Sequence, residues 1–407
     1  MSEPPEIIDL RITDVAYGGH GVGRLDNGMV VFVPYAAVGD QLRVRLTERR
    51  RHFWKGTIET ILNAGPSRTT PKCRYYGQCA GCCYQHLTHA EQIRLKVEQL
   101  KSAMKRIGGI RLPSGIDPVI TSPQAYGYRN KITLHPATVD GIDYGFYKAD
   151  NETVMPVAEC LIAESALNSL LAKVCGSHAA AANAARPQPR NLTLRSAGTE
   201  APRFFFGKAR RSEPRVGESL GERVLHVPAD GFYQVNRPIA MQLITWLQRL
   251  FRENPTPNLI DAYCGSGVFA LALAADAERV IGIETDRHSV RAARFNARQW
   301  GADAAEFMEG DVAQVLPTAL ASIGCGDTTV ILDPPRAGCS RRVVRCLCES
   351  RPVRIIYVSC DPNTFARDLE RLGTGKHYEL EVLGLFDMFP QTAQFECVAV
   401  LNLAGES

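Results

Sequence analysis

Residues 258–267 read NLIDAYCGSG, an apolar run that ends in a glycine loop. The run suits a buried strand, and Gly265 and Gly267 let a ligand approach the backbone closely before a helix begins. The same texture continues downstream, with RVIGIE at 279–284, TTVILDP at 328–334 and RIIYVSC at 354–360 separated by helical stretches and followed by two last strands. Apolar strands alternating with helices imply a parallel sheet covered on both faces. The C-terminal part is therefore expected to be a doubly wound α/β unit with its ligand crevice at the carboxyl ends of the strands.

Chemistry-bearing residues collect at those strand ends. Glu284 closes RVIGIE, where a carboxylate can accept from both hydroxyls of a ribose. Gly265-x-Gly267-x-x-Ala270 followed by this acid also fits the dinucleotide pattern, so the loop signals a nucleoside-containing cofactor without choosing between types. Asp333 precedes a rigid Pro334-Pro335 turn, suited to fixing a planar base or an amino group. Cys360 stands at a strand end beside a helix start, a setting that can activate a thiol as a nucleophile. Glu396, after DMFPQTAQF at 387–395, begins the last strand on the same edge and can act as a general base.

Upstream, 407 residues exceed one ordinary core, and the pattern divides into 1–62, 63–235 and 236–407. The first segment alternates apolar and polar positions (Ile8, Leu10, Ile12; Val30, Phe32; Leu42, Val44, Leu46) between Gly-rich turns and reads as a small antiparallel β-barrel. Its stretch from Glu48 to Lys55 mixes cations with Phe53 and Trp54, a combination that can meet phosphate and stack on a base. In the second segment, Cys73-x5-Cys79-x2-Cys82 with a distant Cys160 can supply four thiolates to a tetrahedral zinc or to an iron–sulfur cluster, with Cys83 competing for the third place. A helix follows, with Ile93, Val97, Leu100, Met104 and Ile107 on one face and Gly108-Gly109 at its end. Residues 110–235 hold short strands, a loop-like Ala/Pro stretch at 178–190, and a second basic region. That region comprises Arg186, Arg190, Arg195, Arg203, Lys208, Arg210, Arg211 and Arg215, interleaved with Phe204, Phe205 and Phe206.

Composition bounds the function classes. Hydrophobic residues at 45% and charged residues at 22% describe a globular chain, and a net charge of +4 does not by itself require a nucleic-acid partner. No membrane span or secretory start is read, so the expected location is the cytoplasm, where thirteen cysteines are thiols, ligands or a nucleophile rather than disulfides.

Together the segments CRYYGQCAGCCYQH (73–86), FYQVN (232–236), DAYCGSG (261–267), LDPPRAG (332–338), YVSCDP (357–362) and DMFPQTAQFE (387–396) closely resemble the uracil-carbon-5 RNA methyltransferase family, in the branch with an N-terminal TRAM domain and an iron–sulfur cluster. The resemblance implies a multidomain chain: a TRAM/OB-like barrel, a central mixed α+β domain with a 4Fe–4S cluster on Cys73, Cys79, Cys82 and Cys160, and a Rossmann-like class I methyltransferase domain. It implies that Gln234, Tyr263, Glu284, Asp311 and Asp333 line an S-adenosylmethionine site, that Cys360 is the nucleophile and that Glu396 is the base. It departs from the family at Cys83 (usually glutamine), at Val268 and Asp361 (both usually asparagine), and at Gln394-Phe395 (usually histidine and an aliphatic residue). A carboxylate at 361 would raise the pKa of the neighbouring thiol if it pointed inward, and it is expected to face elsewhere.

The implied product is 5-methyluridine in RNA, with 23S ribosomal RNA favoured over transfer RNA and no obligate protein partner evident. The competing readings are a nicotinamide oxidoreductase, which leaves Cys360, Glu396 and the four cysteines unused, a cytosine methyltransferase, whose cysteine follows a proline, and an RNA-binding or ribosome-assembly factor that kept the fold and lost activity.

Overall fold

The computed structural model describes residues 6–112, 115–139, 142–198, 200–209 and 215–405. Strands β1 (Ile7–Val15), β2 (His20–Arg24), β3 (Val30–Pro34), β4 (Gln41–Arg49) and β5 (Phe53–Asn63) close into a barrel in the order β1-β2-β3-β5-β4. Alternate residues such as Leu10, Ile12, Val31, Val33, Leu42 and Val44 fill it. An odd number of strands cannot alternate direction around a ring, so one seam must be parallel. That seam is β3 with β5, where Val30 pairs with Phe53, and the fully antiparallel barrel expected from the alternation is corrected there. The cation-rich stretch forms the β4–β5 hairpin tip, where Arg51 and His52 are exposed and Arg49 lies over the Trp54 ring.

Helix α1 (His89–Arg106) starts at Thr88, whose hydroxyl accepts from the Glu91 amide, and ends before Gly108-Gly109. Its buried face differs from the expected one. Leu100 and Met104 are buried as expected, but Gln92, Lys96 and Gln99 are buried with them while Ile107 is 44% exposed. Polar partners explain the rotation. Lys96 donates to Asp387 Oδ1 at 2.6 Å and to the Phe389 carbonyl at 3.1 Å, His89 Nε2 lies 2.8 Å from Asp387 Oδ2, and Gln92 bonds Gln391 in both directions. Burial opposes the charge on Asp387, yet Lys96 and His89 hold its carboxyl below the ordinary range. Lys96→Met leaves that carboxylate buried against one partner fewer, so urea unfolding should show a loss of about 3–5 kcal/mol. The same ties fix the segment that delivers Glu396.

Next come β6 (Val119–Ile120), β7 (Lys131–Val139), β8 (Ile142–Tyr147), β9 (Val154–Pro156), α2 (Ser165–Val174), α3 (His178–Ala184), β10 (Leu192–Arg195) and β11 (Arg203–Phe206). All of these strands except β6 form one sheet in the order β11-β10-β7-β8-β9. The stretch at 178–190 is not all loop. Its alanines favour a helix, Ser177 accepts from the Ala180 amide to cap it, and Pro187 and Pro189 bar its continuation. Arg210 and Arg211 of the second basic region lie outside the described residues. A hairpin of β12 (Val216–Leu220) and β13 (Arg223–Val227) leads to α4 (Arg237–Glu253), which presents Ile239, Leu243, Leu247 and Phe251 to the C-terminal core.

The remaining elements are β14 (Asn258–Ala262), α5 (Val268–Leu273), β15 (Arg279–Glu284), α6 (Arg287–Trp300), β16 (Ala305–Glu309), α7 (Val312–Ile323), β17 (Thr328–Leu332), α8 (Arg341–Ser350), β18 (Arg354–Ser359), α9 (Pro362–Arg371), β19 (Tyr378–Phe386) and β20 (Glu396–Leu403). They build an eight-stranded sheet in the order β16-β15-β14-β17-β18-β20-β19-β6, parallel from β16 to β18, with β20 antiparallel to both its neighbours. The order reverses at β14, which places a crevice over the carboxyl ends of β14, β15 and β17. Strand β6 comes from the central stretch yet completes this sheet, and Leu100, Ala103 and Met104 of α1 join its core. No helix among the described residues is long and apolar enough to cross a membrane.

Candidate active site

Strand register gathers the candidate side chains. Ala262 pairs with Ile283 on one side and Leu332 on the other, so Tyr263, Glu284 and Asp333 all stand at the same sheet edge. Ser359 pairs antiparallel with Cys397, so the next residues along, Cys360 and Glu396, face each other across β18 and β20.

At the glycine loop, Tyr263, Gly265 and Gly267 take positive φ angles of 74°, 55° and 87°. A side chain is rarely tolerated there, and Tyr263 accepts the strain to turn the chain over the crevice. A Cβ built on Gly265 would meet nothing within 4 Å, so the loop has an open face. Glu284 accepts from the Gly265 amide at 3.1 Å and the Asp286 amide at 2.7 Å, which orients its carboxylate with lone pairs to spare. Asp311 caps α7 through the Ala313 amide at 2.9 Å. Gln234 is buried, and its Oε1 has no partner; Asp261 Oδ1 and Ser266 Oγ beside the loop are likewise unpaired. Buried polar atoms without partners are costly, and a polar ligand in the crevice would satisfy them.

Asp261 was not singled out from sequence, although a carboxylate inside an otherwise apolar strand was the signal. Its Oδ2 accepts from the Ala270 amide at 2.8 Å, and burial pushes its carboxyl up to about 7.

Around the thiol, burial and then the Glu396 carboxylate push Cys360 up to about 11, while the positive charge of the Arg336 guanidinium pulls the other way. Arg336 is the second group not singled out as a site residue. Arg336→Leu should raise the thiol's titration midpoint by about one unit, read as the pH dependence of Cys360 alkylation by iodoacetamide in peptide mass spectra. Asp361 turns away from the thiol: its Oδ1 accepts from the Asn363 and Thr364 amides at 2.9 and 3.0 Å and so caps α9. Tyr17, from the barrel's β1–β2 turn, reaches Asp361 Oδ2 at 3.5 Å and packs edge-on against Phe395 with ring centroids 6.4 Å apart. The residue after the thiol and the residue before Glu396 are thus braced from the N-terminal domain. Glu396 is 4% exposed with Oε2 unpaired, and burial followed by the Asp333 carboxylate raises its carboxyl well above the ordinary range. Burial also pushes Asp333 up to about 7.

Cys73, Cys79, Cys82 and Cys160 line one cavity of about 520 Å³ together with Lys131, Phe232, Arg336 and Gln394. Cys83 does not line it and packs instead against Gly19 of the barrel, where an added Cβ would lie 2.9 Å from its sulfur. Burial and then the neighbouring thiols push Cys82 up to about 12. Among the described residues no group of three or more His, Cys, Asp or Glu is placed to hold a metal ion, so the expected cluster is not shown by this geometry. Through Arg336 and Gln394 the cavity adjoins the residues beside Cys360 and Glu396.

Known proteins resemble this chain over nearly its whole length. The sequence pattern of the tRNA (uracil-5-)-methyltransferase family matches residues 221–403, and that of the TRAM domain matches residues 2–58. An uncharacterized RNA methyltransferase of Synechocystis sp. is 32% identical, covering 97% of this chain and 96% of the relative. Another from Nostoc sp. is 31% identical over 98% and 97%. The crystal structure of Pyrococcus abyssi tRNA (uracil-54, C5)-methyltransferase in complex with S-adenosyl-L-homocysteine superposes with a TM-score of 0.74 at 25% identity, covering 97% of this chain and all of that one.

Proposed function

The chain belongs to the RNA uracil-5-methyltransferase family, with the S-adenosylmethionine dependence of its fold, and we propose that it forms 5-methyluridine in RNA through a covalent adduct at Cys360. The observation that carries this reading is the register that sets Cys360 opposite a buried, unpaired Glu396.

Carbon 5 of uracil is too weak a nucleophile to take a methyl group unaided. Addition of the Cys360 thiolate to carbon 6 opens the 5,6 double bond and moves its electron pair onto carbon 5 and oxygen 4. Arg336 favours the thiolate against burial. When bound, S-adenosylmethionine supplies an electrophilic methyl group, for which Gln234, Tyr263, Glu284, Asp311 and Asp333 are the proposed holders. Glu396 then removes the proton left on carbon 5, the double bond re-forms, and the carbon–sulfur bond breaks to return the thiolate. Glu396 is suited to the role because burial and Asp333 raise its proton affinity. The target base must leave its stack to reach the edge where these groups meet.

We also propose that Cys73, Cys79, Cys82 and Cys160 hold a 4Fe–4S cluster of structural role, since the reaction transfers no net electrons. The four free thiols line one cavity, which is what a shared cluster requires, and the packing of Cys83 against Gly19, away from that cavity, favours Cys82 as the third ligand. Anaerobically purified protein should be brown with about four irons per chain. A colourless protein with stoichiometric zinc would overturn the assignment.

The proposed roles follow the division 1–62, 63–235 and 236–407: barrel and central domain grip RNA, and the last domain reacts, in the cytoplasm. The proposed substrate is 23S ribosomal RNA; transfer RNA is the second reading, favoured by the Pyrococcus protein's name. Purified protein, labelled S-adenosylmethionine and total RNA lacking the modification provide the test, with nucleosides analysed by RNA size class. Label in 5-methyluridine of large-subunit RNA is expected. Label in transfer RNA would move the substrate, and no label would favour a binding or assembly factor.

A further inference from the structure

The second basic region takes no part in the chemistry above, yet it builds a defined pocket. Strand β11 is the outer edge of the five-stranded sheet, and its residues alternate: Phe205 is buried, whereas Phe204 is 39% exposed. Phe204 and Phe206 point to one face and meet edge-on with centroids 5.8 Å apart, and Phe206 stacks in turn on Tyr144 at 5.9 Å. The opposite wall is the chain after α3. Asn183, 4% exposed, fixes it by donating to Tyr144 Oη at 2.8 Å and to the Arg190 carbonyl at 2.9 Å and by accepting from the Arg190 amide at 3.3 Å. The space between is about 350 Å³. Arg186, Arg190 and Lys208 line it, and among the described residues no carboxylate does.

We propose that this pocket binds one nucleotide of the RNA outside the target base, with its base against Phe204 and Phe206 and its phosphates against Arg186, Arg190 and Lys208. This rests on the RNA reading above and adds where the flanking strand is held. Three cations with no carboxylate among the described lining residues call for a polyanion, and an exposed phenyl ring at an edge strand offers a base a stacking face that needs no sequence match. Aromatic packing behind Phe206 and the Asn183 bonds hold the two walls before the ligand arrives, which lowers the ordering cost of binding. Lys208 also lines an adjoining groove in which Arg203, Arg215 and Arg291 stand among Glu200, Asp230 and Asp286.

The test uses the full chain and a fluorescent oligouridylate of about twelve nucleotides. Phe204→Ala should weaken binding about ten- to a hundredfold, and the triple change Arg186→Gln, Arg190→Gln, Lys208→Gln should lower the salt slope by about two. Ultraviolet crosslinking of the same RNA to the wild type should mark the peptide carrying Phe204, and thermal melting should match wild type for both variants. Unchanged affinity and slope, or crosslinks that avoid this peptide, would overturn the proposal. Displacement of the oligonucleotide by uridine monophosphate at equal phosphate concentration would also overturn it, since that marks a mononucleotide site. Wild-type formation of 5-methyluridine is measured on the same preparation: its absence removes the catalytic reading, whereas its presence beside variants that bind normally removes this pocket alone.

Discussion

Cys360→Ala should lower methyl transfer more than about 10⁴-fold while the protein melts as wild type does. The size of the loss follows from the chemistry, because without the bond to carbon 6 no electron pair is released onto carbon 5. The neighbouring thiol offers no substitute. Cys397 is buried on β20 and donates to the Ser359 carbonyl at 3.2 Å, which commits it to the sheet. Cys360 is half-buried at the end of β18, so removing its sulfur empties little core. A single-turnover assay with labelled S-adenosylmethionine reads the effect directly. A loss of less than about tenfold would mean that the methyl group arrives without an adduct.

Glu396→Gln should separate the two halves of the reaction. Burial and then Asp333 raise the Glu396 carboxyl well above the ordinary range, and a glutamine copies its size and its carbonyl. The fold is expected to keep its stability within about 1 kcal/mol. Glutamine cannot take the proton from carbon 5, so the double bond cannot re-form and the thiolate cannot leave. Turnover should fall about 10²- to 10⁴-fold, with up to one methyl group per chain retained in a protein–RNA species that survives denaturing electrophoresis. Free release of 5-methyluridine by this variant would remove Glu396 from its role.

Much of the catalytic edge was legible because parallel strands announce themselves: NLIDA, TTVIL and RIIYVS are apolar runs, and Gly265, Pro334 and Asp361 punctuate their ends. Strand β16 was not read, since Glu306 and Glu309 interrupt its apolar character at the sheet's outer edge. Long-range pairs were invisible for another reason. Lys96 on a helix reads as a solvated charge until Asp387 is brought beneath it, and nothing local to Tyr17 says that it meets Asp361 and Phe395. Arg336 stood in view within LDPPRAG, but its bearing on Cys360 depends on how two adjacent strand ends are set. The cysteine spacing left the third thiol open, and only the packing of Cys83 on Gly19 separates it from Cys82.

The most direct test of the central claim uses RNA in which uridine is replaced by 5-fluorouridine, incubated with wild-type protein and S-adenosylmethionine. Fluorine on carbon 5 leaves Glu396 no proton to remove, so the adduct should persist. Mass spectrometry of the digested complex should then find the peptide containing Cys360 carrying a methylated 5-fluorouridine nucleotide. If ordinary RNA gains 5-methyluridine while the fluorinated RNA forms no adduct, or forms it through another residue, the assignment of Cys360 as nucleophile is contradicted.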